Sequence, residues 1–146
     1  MRTILCICLA VGASLTALAA QELDDAKALH GTWIPVKAEL GGQPMPDAVL
    51  KTITLKLNNS EYEVSVAGEP GPDKGTWTLD STARPKGMKI TGVKGPNAGK
   101  TFPAIYELEG DRFRVCYDLS GAKRPTEFKT SAGTQLYLVT YKRNQK

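Results

Sequence analysis

Few side chains in this chain of 146 residues could carry out acid–base, nucleophilic or metal chemistry. His30 is the only histidine, so the sequence excludes a histidine-rich metal site, and a Ser-His-Asp triad would have to use this residue. Cys116 could be a nucleophile, but no histidine lies near it in sequence. We expect His30 to pack or cap at a helix end and Cys116 to be a buried strand residue. An enzyme is therefore the least favoured hypothesis, and we expect no catalytic residue, metal or cofactor.

Carboxylates that are close in sequence could supply a general acid and base, and three pairs occur: Asp24-Asp25, Glu61 with Glu63, and Glu107 with Glu109. Alternate residues of a strand share a face, so the two glutamate pairs lie opposite Tyr62 and Leu108. If the apolar face is the interior, these carboxylates point to solvent. The glycine-rich stretches 68–75 and 92–99 lack a following helix, so no helix dipole supports a phosphate site.

The beginning of the chain has the pattern of a secretory signal peptide. Arg2 precedes an apolar run, 3–18, and small residues flank the leucine of Ala17-Leu18-Ala19. The run is shorter than the ~20 apolar residues that span a bilayer comfortably, which favours cleavage over a retained anchor. We expect a signal peptide at 1–19 and a domain at 20–146 that is exported to the periplasm or the extracellular medium.

The composition of the expected mature domain restricts its partners. About 127 residues are enough for one domain with its own core. Only Cys116 remains after cleavage, so no intramolecular disulfide can form. Loss of Arg2 lowers the formal net charge from +4 to about +3, and the lysines do not form a basic stripe. We expect no nucleic-acid partner and no stable membrane anchor.

Apolar and polar residues alternate along most of the chain, with turn residues between the runs, which predicts an all-β fold. The clearest hairpin joins 53–57 to 62–66 across Asn58-Asn59-Ser60. About eight strands are predicted, the number at which the interior of a barrel is just filled or holds one small ligand. Short turns favour a single antiparallel up-and-down barrel, preceded by a short helix at 22–30.

The tripeptide Gly-Thr-Trp occurs twice, at Gly31-Thr32-Trp33 and at Gly75-Thr76-Trp77, and each copy opens an alternating stretch. In the first of these strands, one face is predicted to hold Ile34, Val36, Ala38 and Leu40. Trp33 is out of phase with this face. Pro35 is therefore predicted to mark a bulge or an edge, because proline cannot donate to a strand ladder.

Several segments carry a resemblance to known proteins: 29–33, 41–46, 74–80, and a block from Gly95 to the specific ending Arg124-Pro125-Thr126-Glu127-Phe128. On these residues the chain resembles an uncharacterised family of secreted bacterial domains abundant in planctomycetes. Gly31-x-Trp33 is similar to the opening motif of lipocalins. The resemblance implies a lipocalin-like barrel and export, and it supplies no catalytic residue. In lipocalins a late arginine packs over the first-strand tryptophan, which implies that Arg143, or in its place Lys142, joins Gly31 and Trp33 at the barrel floor.

The predicted barrel interior is the remaining candidate site, and it comprises Tyr62, Val64, Trp77, Leu79, Met88, Ile90, Tyr106, Leu108, Phe113, Val115 and Tyr117. These side chains either surround a pocket for a small hydrophobic or amphipathic ligand or make a packed core. The leading hypothesis is non-catalytic ligand binding. This hypothesis predicts that substitution of Trp77 or Tyr106 weakens ligand binding before the barrel unfolds, whereas substitution of Trp33 mainly reduces stability. The alternative is a protein-binding envelope module or protease inhibitor that acts through loops 69–74 and 120–130.

Overall fold

The fold was analysed in a computed structural model that describes residues 12–145. The predicted signal peptide at 1–19 thus lies largely outside the described residues. Helix α1 (Gly12–Leu29) comes first, and it contains most of the predicted helix at 22–30. Within the described part of the chain, no helix is both long and apolar enough to cross a membrane.

Nine strands and one further short helix follow within residues 12–145: β1 (Gly31–Leu40), β2 (Gln43–Pro44), α2 (Asp47–Leu50), β3 (Ile53–Asn58), β4 (Glu61–Val66), β5 (Asp73–Asp80), β6 (Gly87–Lys94), β7 (Thr101–Glu109), β8 (Arg112–Asp118) and β9 (Leu136–Arg143). From β3 onwards each strand pairs antiparallel with the next, and β9 returns to pair with β1, which also pairs with β3. Eight strands therefore close into an up-and-down barrel, and β2 is a short extra strand beside the end of β1. The predicted fold class is confirmed.

The predicted hairpin of β3 and β4 forms around a tight turn. Asn59 and Ser60 both have positive φ values, 44° and 68°, as a hairpin turn of the mirror-image type requires. Leu57 pairs with Tyr62 across the two strands. Both side chains are buried, so the alternation read from the sequence identifies the inner face correctly here.

A bulge changes the phase of β1. The ladder between β1 and β9 shifts register between Pro35 and Lys37, as the position of the proline predicted. As a result Trp33 and Ala38 are both buried although their positions differ by five, which would place them on opposite faces of a regular strand. Val36 is 52% exposed whereas Ala38 is buried, so the prediction that Ile34, Val36, Ala38 and Leu40 share one face is wrong. The extra residue at the bulge reverses the faces on either side of it.

The barrel is closed at the end where β1 begins. The Trp33 indole N–H donates to the Leu29 carbonyl (2.9 Å), and its ring packs on Phe113 with centroids 5.5 Å apart. The Arg143 guanidinium lies 4.2 Å above the Trp33 ring and donates to the His30 carbonyl at 2.8 Å. Gly31 leaves room for this guanidinium, since a Cβ there would lie 3.0 Å from it. Gly31, Trp33 and Arg143 thus meet at the floor of the barrel.

Helix α1 is fixed to the barrel by polar contacts as well as by the buried Leu29. Asp25 accepts a hydrogen bond from the Tyr106 hydroxyl (2.7 Å) and forms an ion pair with the Lys86 ammonium (2.9 Å). Glu22 accepts from the backbone N–H of Ser81 at 2.7 Å. Residues 22–29 of the helix are therefore part of the folded domain.

Residues 119–135, named the strap here, contain no helix or strand and cross the outer wall of the barrel. Arg124 forms an ion pair with Asp80 (3.0 Å) and lies against Gly87, where a Cβ would be 2.7 Å from the guanidinium carbon. Further along, the Thr130 hydroxyl donates to Glu39. The strap therefore reaches from β5 and β6 to β1.

The middle of the strap covers apolar side chains on the outer face. The Arg114 guanidinium lies 4.3 Å from the centre of the Phe128 ring, and the Cys116 thiol points to the Lys129 carbonyl at 3.8 Å. Ile105 and Cys116 are fully buried although they alternate with inward-facing residues of β7 and β8. The sequence predicted a loop here, and the structure shows that this loop is a packed layer.

Candidate functional site

A cavity of about 860 Å³ occupies the half of the barrel opposite Trp33. Its mouth is formed by the loops that follow β4 and β6 and by the end of β8 and the start of β9. The aliphatic and phenyl part of its wall includes Ile53, Leu55, Val64, Val66, Ile90 and Phe102, and four tyrosines complete it: Tyr62, Tyr117, Tyr137 and Tyr141. This volume lies within the range of about 300–1,000 Å³ that is usual for small-molecule pockets.

The structure divides the predicted interior residues into two groups. Four of them line the cavity, namely Tyr62, Val64, Ile90 and Tyr117. The others pack in or against the core instead: Trp77, Leu79, Met88, Tyr106, Leu108, Phe113 and Val115. Trp77 and Tyr106 are buried without lining the cavity, so the expectation that their substitution first weakens ligand binding is corrected. Both substitutions would mainly reduce stability.

Six of the ten wall residues were not in the predicted interior: Ile53, Leu55, Val66, Phe102, Tyr137 and Tyr141. A usable signal was present in β9, where Tyr137, Val139 and Tyr141 alternate. This strand was predicted to close the sheet, but its inner face was not assigned to the candidate site. Leu55 lies in the predicted hairpin and was likewise left out.

Three tyrosine hydroxyls in the cavity wall have no hydrogen-bond partner among residues 12–145: those of Tyr117, Tyr137 and Tyr141. The rings of Tyr117 and Tyr137 stack with centroids 6.0 Å apart, and that of Tyr141 stacks on Phe113 at 5.7 Å. Burial raises the pKa of Tyr137 to about 12. Burial, and then repulsion from neighbouring phenols, raises the pKa of Tyr117 and Tyr141 as well. These hydroxyls therefore stay protonated and can both donate and accept hydrogen bonds.

Asp73 joins a tyrosine of the cavity wall to a loop at the cavity mouth. Its carboxylate accepts from the Tyr62 hydroxyl at 3.2 Å and from the Asn97 side-chain amide at 2.9 Å. The backbone N–H of Asn97 also donates to it at 3.2 Å. Burial, followed by the charge of Asp73, raises the pKa of Tyr62. This carboxylate thus holds the loop after β6 against the start of β5, next to the one cavity tyrosine whose hydroxyl is bonded to the protein.

The residues first considered for catalysis lie outside the cavity lining. His30 follows α1, and its Nε2 accepts from the backbone N–H of Asn59 at 3.3 Å. Cys116 is buried in β8 as predicted, and burial raises the pKa of its thiol, which disfavours the reactive thiolate. Residues 12–145 form no group of three or more His, Cys, Asp or Glu side chains that could hold a metal ion.

The carboxylate pairs of β4 and β7 are on the outer face of the barrel. Glu63 forms an ion pair with Lys74 at 3.6 Å, and Glu107 forms one with Arg114 at 2.6 Å. Glu61 and Glu109 are exposed. The interpretation of these positions as a polar outer face is confirmed. Asp25, from the third pair, anchors α1 to Lys86.

Comparison of the chain with protein-family models, with curated proteins and with solved structures gave no match. The resemblance to a planctomycete family of secreted domains stays a prediction.

Proposed function

We propose that this protein binds a small amphipathic molecule in the barrel cavity and acts as a non-catalytic binding protein outside the cytoplasm. The observation that carries the proposal is the cavity of about 860 Å³, walled by aliphatic side chains and tyrosines. Ligand pockets in proteins are mostly apolar and contain a few placed polar groups, and this wall has that composition.

The contrast between the two halves of the barrel supports this proposal. Large side chains such as Trp33, Trp77 and Phe113 pack the closed half. The open half leaves apolar wall atoms facing a space, and each Å² of apolar surface left uncovered forgoes about 25 cal/mol of stabilisation. A ligand with apolar surface recovers that free energy when it binds.

One further observation supports the exported part of the proposal. The pattern of residues 1–19 favours export.

The test is native mass spectrometry of mature protein isolated from its own exporting cells, with denatured protein as the control for released small molecules. Val64→Trp places a large ring in the cavity wall, and Val93→Trp places the same ring on a position that is 66% exposed and outside the cavity lining. We expect an extra mass in the wild-type protein and in Val93→Trp, and its loss in Val64→Trp. Thermal unfolding checks that both variants are folded.

If the wild-type protein carries no extra mass and takes up no amphipathic compound in vitro, the cavity is not a ligand site.

The second candidate function is protein binding through the strap. The observation that favours it is that the strap is fixed to the barrel while Lys123, Thr126 and Glu127 are exposed, so these side chains are presented in a defined arrangement. This candidate predicts that the protein inhibits purified extracellular proteases or binds an envelope protein, and that Glu127→Lys abolishes this effect without changing the bound small molecule.

A further inference from the structure

We infer that the ligand carries an uncharged polar group, such as a hydroxyl, ketone or amide, and binds it to the hydroxyls of Tyr117, Tyr137 and Tyr141. This inference rests on the proposed function and specifies the chemical class of its ligand. The cavity offers three unpaired polar atoms to a ligand. Three hydroxyls belong to side chains that line one cavity, and they have no partner among the described residues. None of the three oxygen atoms is fully buried, so each is open to a molecule in the cavity.

The three tyrosines lie close enough together on β8 and β9 to form one site. Tyr117 and Tyr137 are direct partners in the ladder between β8 and β9, and their rings stack with only 18° between the planes. Tyr141 follows on the inner face of β9, where its ring stacks on Phe113. Ring packing therefore fixes all three hydroxyls before a ligand arrives, which lowers the entropy that binding must offset.

The charges around the cavity decide which polar group fits. The charged side chains in its lining are Glu69, Asp73, Lys94 and Lys100, and all belong to strand ends or loops at the mouth. The tyrosine wall holds no charge. A carboxylate or ammonium group placed there would lose its hydration without gaining a charged partner, which is unfavourable. A neutral group can both donate to and accept from the phenols.

The opposite wall receives the rest of the ligand. β4 lies four strands from β8 in either direction around the barrel and contributes Val64 and Val66 to the cavity. Ile53 and Leu55 of the adjacent β3 extend this aliphatic surface. The ligand therefore has one polar end or edge and a largely apolar remainder.

The experiment compares dodecanol, dodecanoate and dodecylammonium, which share one apolar chain and differ in head group, by calorimetric titration at neutral pH. We expect dodecanol to bind most tightly. Tyr117→Phe and Tyr137→Phe each remove one hydroxyl and should weaken dodecanol binding by about three- to tenfold. Tyr106→Phe is the matched control, because its hydroxyl bonds to Asp25 and its side chain does not line the cavity. That variant should keep the wild-type affinity.

Each other outcome overturns the inference in a recognisable way. If dodecanoate binds most tightly, the inference fails while the proposed function stands. Loss of dodecanoate affinity in Lys94→Ala would then place the head group at the mouth. Tightest binding of dodecylammonium, or equal dodecanol affinity in all three Tyr→Phe variants, also overturns it. If the wild-type protein binds none of the three compounds, the proposed function itself fails.

Discussion

One side chain, Arg143, joins three parts of the closed end of the barrel. Its guanidinium lies over the Trp33 ring, donates to the carbonyls of Ala28 and His30 at the end of α1, and pairs with Asp111 at 3.1 Å. A cation at a helix C-terminus is favourable because the last carbonyls have no partner within the helix. The same contacts cover the aromatic floor of the barrel.

We expect Arg143→Ala to lower the free energy of unfolding by about 2–3 kcal/mol, because it removes a cation–π contact and hydrogen bonds from a charged donor. Urea denaturation of the folded domain measures this change. The control is Lys142→Ala, the exposed neighbour, which should change stability by less than about 0.5 kcal/mol. Equal effects of the two substitutions would show that the contacts of Arg143 are not stabilising.

For single residues, the sequence predicted whether a side chain points into the barrel better than it predicted how far along the barrel axis the side chain lies. Alternation shows that Tyr62 and Trp77 both point inward, and both are buried. It does not show that Tyr62 lines a cavity while Trp77, whose indole N–H donates to the Glu61 carbonyl at 3.0 Å, does not. Depth depends on the stagger of strands around the barrel, which is a property of pairing and not of local pattern.

The last turn of α1 packs on the barrel, with Ala26 partly buried near Leu29. Leu29 is fully buried in the core, whereas Leu23, on the same helix, is 65% exposed. We expect Leu29→Ala to reduce the free energy of unfolding by about 3 kcal/mol, through lost burial and the cavity left behind. Leu23→Ala is the matched control and should have little effect. Chemical denaturation of both variants gives the comparison, and a similar loss at Leu23 would contradict the packing described.

Among the elements, the strands were predictable and the strap was not. Period-two alternation and turn residues identified the barrel strands from neighbouring residues alone. The contacts of the strap join Arg124 to Asp80 and Thr130 to Glu39, which are far apart in sequence. No local pattern encodes such contacts. Even so, Arg124 and Phe128, both in the most specific segment of the resemblance, make two of the strap's side-chain contacts with the barrel.

The whole molecule has an unusual distribution of phenols, since all five tyrosines lie inside or against the core: Tyr62, Tyr106, Tyr117, Tyr137 and Tyr141. Burial is the main cause that raises the pKa of each one above its ordinary value of 10. The folded protein therefore keeps these protons at pH values at which the unfolded chain releases them. The resulting stability is complete below pH 10 and is lost progressively as the pH rises above 10.

We expect a spectrophotometric titration to show almost no phenolate absorbance near pH 10 in the native protein. The absorbance should instead appear at about pH 12 or above, together with loss of the native circular dichroism signal. Protein unfolded in guanidinium is the control and should titrate near the ordinary value of about 10. Early ionisation of several tyrosines with the native signal intact would contradict the burial of these rings.

The strap also determines when the thiol of Cys116 can react. The side chain is fully buried beneath this segment, whose Lys129 carbonyl faces the sulfur. In an oxidising medium, such a thiol reacts with a disulfide reagent only while the covering segment is lifted. The rate at which a disulfide reagent labels Cys116 therefore reports how often the strap lifts away from the barrel.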